Sequence, residues 1–342
     1  MRLAVDATYS VGSRLSGVGV YSNEIIGGVA SRFPHDPVVC AFRPHRFLRG
    51  LAKRLPPNCR RRILWEARAD GSITVFHGLN QRLPAARYRR AACTFHDLFV
   101  LTGEYSTPEY RERFARQARE AAERADLIVA VSRFTASQVR DLLGVEESRI
   151  RVVPHGVHLP APAARRPREP FILHVGAIQR RKNIARLLRA FERVPAGWRL
   201  VMAGAGGFES EEILSLVARS PRRGDVELLG YVPRAALEDL YSRAGVFAFP
   251  SLDEGFGIPV LEAMAWGAPV VTSNRSALPE VAGDAALLVD PFREEEIAAA
   301  LIRVIEDSRL AELLRNRGRE RAAQFPWRRA VDGTCCVYRE LD

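Results

Sequence analysis

The chain has 342 residues, 47% of them hydrophobic, and a net charge of +11 carried almost wholly by arginine. That length allows two domains of ~100–200 residues each, and the apolar content supports proper cores. No run of ~18 apolar residues reads as a membrane span. The cysteines, Cys40, Cys59, Cys93, Cys335 and Cys336, are odd in number and lack a C-x-x-C pair, which argues against a disulfide framework or a zinc site.

The opening MRLAVDATYS enters a strand pattern directly, without the regions of a secretory leader, so a soluble cytoplasmic protein is expected. LAVDAT reads as a strand. The glycine-rich stretch GSRLSGVGVYSNE, Gly12 to Glu24, then leads into a helix over VGVYSNEIIGGVASRF. Gly17 and Gly19 would admit a phosphate or sugar at that helix N-terminus. Their spacing is not G-x-G-x-x-G, which speaks against a dinucleotide site. VVCAFR follows as a strand.

From Arg43 to Arg68 lie Arg43, Arg46, Arg49, Lys53, Arg54, Arg60, Arg61, Arg62 and Arg68 against one acid, Glu66. Leu48, Leu51, Leu55, Ile63, Leu64 and Trp65 are interleaved with them. The stretch reads as a surface for an anionic membrane or an anionic acceptor. A solvated basic face competes with that reading, and nucleic acid is the least favoured of the three.

ITVFHG, AACTFHD, LIVAVS and IRVVPHG are short strands separated by helical spacing in PEYRERFARQAREAAERA and TASQVRDLLG. Such alternation means βαβ units and a parallel sheet. His77 and His96 each follow an apolar strand, at the edge where such sheets bind ligands. His96 is placed to hydrogen-bond a sugar hydroxyl or to move a proton; His77 is the weaker candidate. His155 and His158 read as structural. The stretch LPAPAARRPREP, Leu159 to Pro170, with four prolines, breaks the pattern as a linker.

A second alternating set follows, from FILHVGA through RLVMAGAG, VELLGYV and GVFAFPS to PVVTSN, with helices between. In VGAIQRRKN the strand ends at Gly176, and Asn183 reads as a helix N-cap. Arg181 and Lys182 just before it make a diphosphate site, which is not a P-loop because no G-x-x-x-x-G-K-[ST] occurs. In EGFGIPVLE, Glu254 falls in the loop after GVFAFPS, and Pro259 is expected at the first helical position. Glu262 then lies in the first turn. Gly255 and Gly257 let backbone N–H groups approach a ligand. Two carboxylates at different depths in one crevice suit the hydroxyls of a polyhydroxylated ligand. No histidine and carboxylate set has metal spacing, and no D-x-D pair occurs. The end of the chain reads as helices broken at Phe325-Pro326-Trp327.

Together these residues resemble the retaining glycosyltransferases of family 4, over nearly the whole chain. The most specific piece is Glu254-(x)7-Glu262 within EGFGIPVLEAMAWGAPVVTSN. VGAIQRRKN, the GYVP turn at Gly230 to Pro233, LPEVAGDAALLVDP and VVPHGVH follow. The resemblance implies the GT-B fold: two Rossmann-like parallel-sheet domains facing across a cleft. Residues 1–160 would bind acceptor, 161–170 would link, 171–325 would bind the nucleotide-sugar, and 326–342 would return as a helix onto the first domain.

The resemblance also implies roles. Arg181 and Lys182 would neutralise the donor diphosphate, and Glu262 would bind the ribose. Glu254, with the N–H groups of Phe256, Gly257 and Ile258, would hold the sugar. Tyr231 and Val232 of the GYVP turn would meet the base through backbone groups. Gly17 would sit against the phosphates, and His96 would lie near the reacting sugar. In this sequence Ala177 follows Gly176, where many relatives carry arginine, so Arg181 is expected to supply that charge. The implied reaction is metal-independent transfer of a sugar, with mannose favoured, from a UDP- or GDP-sugar to a hydroxyl of a lipid-linked, polysaccharide or other acceptor. No cofactor is expected, and on the membrane reading of the basic stretch the protein would sit peripherally on the inner face of the membrane. A sugar-nucleotide epimerase, a phosphorylase or a non-catalytic sugar or nucleic-acid binder is the competing reading.

Overall fold

The computed structural model describes residues 1–12, 15–161 and 166–342. The chain divides into two compact units, one of Met1–Gly156 with Trp327–Asp342 and one of Val157–Pro326. The middle of the expected linker, residues 162–165, and residues 13 and 14 of the first glycine-rich loop lie outside the described residues.

In the first unit the elements run β1 (Leu3–Asp6), α1 (Gly17–Arg32), β2 (Val38–Phe42), α2 (Pro44–Ala52), β3 (Cys59–Ile63), β4 (Val75–Gly78), β5 (Arg90–Phe95), α3 (Phe99–Thr102), α4 (Pro108–Arg124), β6 (Leu127–Ala130), α5 (Arg133–Leu143) and β7 (Ile150–Val152). The seven strands form one parallel sheet in the order β3-β2-β1-β4-β5-β6-β7. The central strands are covered on both faces, which is why they read as nearly continuous apolar runs, unlike the edge strand β3. Leu3 and Val5 of β1 join one core with Tyr21, Ile25 and Val29 of α1. Ala4 points the other way, into a core with Phe76, Phe95, Phe114 and Val139. α1 starts where the Ser16 hydroxyl accepts from the Gly19 amide, and α4 where Thr107 accepts from the Tyr110 amide ahead of Pro108.

The second unit holds β8 (Glu169–Val175), α6 (Ile184–Glu192), β9 (Arg199–Ala203), α7 (Ser210–Arg219), β10 (Val226–Gly230), α8 (Arg234–Arg243), β11 (Ala244–Phe249), α9 (Ile258–Ala265), β12 (Val270–Ser273), α10 (Leu278–Ala282), β13 (Ala286–Val289), α11 (Glu294–Glu306) and α12 (Ser308–Ala323). Its six strands are again parallel, ordered β10-β9-β8-β11-β12-β13. β8 begins at Glu169, inside the stretch read as linker, because Glu169 pairs with Ala244 of β11. Arg168 just before it is half-buried and donates to the carbonyls of Tyr241, Ala244 and Trp266, which anchors the strand entry.

The last helix, α13 (Trp327–Leu341), packs on α1, β5 and β6 of the first unit. A Cβ on Gly28 of α1 would fall 2.2 Å from Val331 Cγ2, so α1 and α13 approach at a spot where there is no room for a side chain. Trp327, Val331 and Tyr338 bury themselves in the same core as Leu3 and Ile25. Each such large apolar side chain contributes roughly 1.5–3 kcal/mol of burial.

The basic run is not one surface. It folds into α2 and the edge strand β3. Arg43 is 3% exposed and ion-paired to Asp6 at 3.6 Å and to Glu66, which removes it from any outward face. Lys53 is turned to Ser10 O and Asn23, and Arg61 donates to the carbonyls of Gly50 and Lys53. What remains outward includes Leu48, 79% exposed, and Trp65, 52% exposed. Among the described residues, no helix is long and apolar enough to cross a membrane.

Candidate active site

In the second sheet the chain winds outward from β8 to β9 and β10, then returns to add β11, β12 and β13 on the other side. The reversal between β8 and β11 opens a crevice beyond their carboxyl ends, where an open α/β sheet binds its ligand. The loops that follow these two strands carry the RRK and EGFG segments.

After β8 the chain runs through Gly176 to one 3-10 turn, Arg180–Lys182, and then to Asn183 with φ 59°. Asparagine tolerates this left-handed turn better than most residues. Asn183 does not cap α6 with its side chain as expected. Its Nδ2 instead donates to Pro250 O at 3.0 Å and Pro291 O at 2.6 Å, tying this loop to those after β11 and β13. The loop after β9 passes so close that a Cβ on Gly204 would fall 1.8 Å from Gly176 O. After β11, α9 starts at Ile258 with Pro259 one place inside, and Gly257 precedes it at φ 106°. A Cβ there would also meet Leu278 Cδ2 at 2.7 Å, so conformation and space both require glycine.

These two loops bring Arg181, Lys182 and Glu254 together, each 8% exposed. Arg181 Nη1 lies 3.0 Å from Glu254 Oε2, and Lys182 Nζ pairs with Oε1. Lys182 Nζ also stands 4.7 Å over the Phe249 ring, a cation–π contact. Burial alone would raise the Glu254 carboxyl. Arg181 and Lys182 outweigh it and bring the carboxyl down to about 2. Two buried cations thus share the Glu254 carboxylate, and Arg181 Nη1 also donates to the carbonyl of buried Asp253. Ser276 Oγ accepts from the Glu254 amide at 3.1 Å and fixes the loop's path.

Glu262 is also 8% exposed, on the first turns of α9. Arg234 donates to its Oε1, and the Tyr241 hydroxyl donates to Oε2 at 3.0 Å. Arg234 follows the GYVP turn directly and opens α8. Neither partner was picked out from sequence; an arginine next to that turn is the one signal that points to it. Gly230, at φ 63°, accepts from the Gly204 amide at 2.7 Å, which sets the turn beside the end of β9. Tyr231 is 40% exposed and Val232 half-buried. Phe256 packs inward against Phe325, with ring centroids 6.0 Å apart.

In the first unit, Gly17 is exposed at the start of α1, while Gly19 is buried. A Cβ on Gly19 would lie 2.9 Å from Tyr9 O, so packing already requires glycine there. His96 is 7% exposed, with Nε2 2.9 Å from Leu79 O and Nδ1 3.2 Å from His155 Nε2. The carbonyl fixes the proton on Nε2, leaving Nδ1 as acceptor. His155, read as structural, is thus the immediate partner of His96. His77 has a structural place: its Nδ1 is 2.7 Å from the Tyr338 hydroxyl and its Nε2 2.8 Å from Thr94 Oγ1, fully buried. Among the described residues, no three His, Cys, Asp or Glu side chains come together to hold a metal ion.

Burial pushes these imidazoles down, His96 to about 4, His77 to about 3 and His155 well below its ordinary value. In the second unit, His174 goes to about 4 for the same reason. The unfolded chain takes up protons on these groups below about 6.5, where the folded chain does not. Stability is therefore full above that pH and falls as the pH drops towards 4, by about 1.4 kcal/mol per pH unit for each proton. With three such groups in the first unit and one in the second, calorimetry of the whole chain from pH 7 to pH 4.5 is expected to show the first unit's transition falling faster. Parallel decline of both transitions would contradict these burials.

Two Rossmann-like parallel-sheet domains define the GT-B class. Residues 16–160 match the family described as Glycosyltransferase Family 4, and residues 159–321 match Glycosyl transferases group 1. The chain is 36% identical over 298 residues to O-antigen chain mannosyltransferase B of Escherichia coli, covering 82% of this chain and 78% of that protein. It is 28% identical over 270 residues to the serotype-specific mannosyltransferase WbdA of Escherichia coli, covering 71% of this chain but only 33% of the longer protein. Sucrose-phosphate synthase from Thermosynechococcus elongatus superposes with a TM-score of 0.82 over 100% of this chain and 99% of that one, at 23% identity. The chain belongs to glycosyltransferase family 4 and is a glycosyltransferase enzyme with the GT-B fold.

Proposed function

We propose that the chain transfers mannose from a nucleoside-diphosphate donor to a hydroxyl of a lipid-linked or polysaccharide acceptor, with retention at the anomeric carbon and without a metal. The observation that carries this reading is the buried Arg181–Lys182–Glu254 triad at the β8/β11 switch point, with Glu262 one helix turn away. Its two adjacent cations suit a diphosphate, whose negative charge grows as the bond to the sugar breaks. Arg181 and Lys182 stabilise that charge, Glu262 accepts from the ribose hydroxyls, and Glu254 with the N–H groups at the start of α9 holds the sugar. The acceptor oxygen forms its bond to the anomeric carbon from the face the phosphate leaves. The carbon–oxygen bond to the phosphate breaks, and the acceptor proton passes to the departing phosphate oxygen. No separate strong base is needed, which agrees with a His96 whose nitrogens are both engaged within the fold.

The mannosyl donor is supported by the names of the two Escherichia coli relatives. A membrane-bound acceptor is supported by the exposed Leu48, Leu51 and Trp65 beside the remaining arginines. The test is thermal stability against UDP, GDP, dTDP and ADP and their sugars in the presence of a chelator. One nucleotide is expected to raise the second unit's transition, and Glu262→Ala to diminish that shift. No shift with any of them, or a shift that needs a divalent metal, would overturn the donor site as described.

A further inference from the structure

At the carboxyl ends of β1, β2 and β4, the first unit holds a cavity of about 380 Å³. Its basic lining comes from Arg43, His45, Arg46, Arg49 and Arg82, and among the described residues no acidic side chain lines it. Arg46 and Arg49 lie three residues apart on α2 and so share a face. Neither forms an ion pair among the described residues. Arg43 belongs to the wall and is 3% exposed. Its Nη1 is held by Glu66 and its Nε lies 3.6 Å from Asp6 Oδ2, yet Nε and Nη2 have no hydrogen-bond partner. Arg82 donates to the same Glu66 at 2.8 Å.

Four guanidiniums thus stand near two carboxylates, which hold only Arg43 and Arg82. A buried, incompletely bonded guanidinium is costly unless something satisfies it. The planar donor forks of arginine match the oxygens of a phosphoryl group. The position adds a second argument, since the carboxyl ends of the strands are the ligand edge of such a sheet.

We propose that this cavity receives a phosphoryl group, a phosphate diester or a diphosphate, carried by the acceptor. The proposal rests on the reading of the chain as a transferase with a carried acceptor and names the part of that acceptor the first unit recognises. The phosphoryl group belongs to the acceptor because the donor's diphosphate already has its counter-charges in the second unit.

The test uses the full chain and the double variant Arg46→Gln/Arg49→Gln, whose side chains lie on an outer helix and leave Arg43 in place. Transfer is measured onto one glycan presented in two forms, on an alkyl diphosphate and on an uncharged alkyl group. The preference in kcat/KM for the diphosphate form is expected to fall roughly tenfold or more, the loss of at least one charge-assisted contact. An unchanged preference overturns the proposal. So does reduced binding to anionic vesicles with the preference intact, since the arginines would then serve a membrane surface. A second measurement does not depend on turnover. Titration of the Lys182→Ala variant with inorganic pyrophosphate is expected to retain one binding event, and adding Arg46→Gln/Arg49→Gln is expected to remove it. Retention of that event overturns the proposal even if no nucleotide sugar proves to be a donor. Absence of transfer to both acceptors, with this binding event intact, counts against the donor reading instead.

Discussion

Lys182→Ala is expected to lower kcat for sugar transfer by about 10²–10³-fold, the usual loss when one preorganised charge is removed from a developing anion. The fold should survive. Glu254 keeps Arg181 as partner at 3.0 Å, and α6 keeps the Asn183 ties to Pro250 and Pro291. What disappears is one of the two cations that share Glu254. A diphosphate arriving in the variant meets Arg181 alone, already paired with Glu254. Steady-state kinetics with the nucleotide-sugar found to be the donor, alongside calorimetry, separates the two effects. Turnover at the wild-type level with an intact second unit would remove Lys182 from the reaction.

Glu254→Gln acts in the opposite sense. The substitution leaves two buried cations facing an amide, and breaking a buried pair in this way costs about 3–5 kcal/mol. The second unit's transition is therefore expected to fall by several degrees, with the loss concentrated above the pH where the wild-type carboxylate ionises. Because the wild-type carboxyl is held near 2, its contribution is complete above the ordinary carboxyl range of about 4.5 and is lost as the pH falls towards 2. The variant and the wild type should converge in acid. A nucleoside diphosphate can stand in for the missing anion, so it should raise the variant's transition more than the wild type's. An equal shift in both proteins would mean that the diphosphate does not meet Arg181 and Lys182.

The ligand edge of the second unit was legible because strand ends can be read from the alternation of short apolar runs and helical segments. Whatever polar residues follow such runs must lie at that edge, and so RRK and the two glutamates were placed before any contact was known. Partnership was not legible. His77 and His96 stand in nearly the same local setting, each at the end of an apolar strand. One is locked by Tyr338, 261 residues away in sequence, and the other by His155 and a backbone carbonyl. Nothing local tells them apart. Arg43 looked like one charge among nine, and only the adjacency of β2 to β1 brings it to Asp6. The asparagine after RRK carries a helix-start signal and does begin α6, but its left-handed backbone turns the side chain to two distant carbonyls.

The return of α13 to the first unit has a consequence for how the protein is made. The second unit is one continuous stretch, Val157–Pro326, whereas the first needs both Met1–Gly156 and Trp327–Asp342. On the ribosome, where domains generally fold as they emerge, the unit that starts first must finish last. Until Tyr338 arrives, His77 lacks its hydroxyl partner and the face of α1 around Gly28 lies open. The nascent first unit must therefore wait with all seven strands made but the apolar face that α13 covers left bare, while the whole of its neighbour is synthesised.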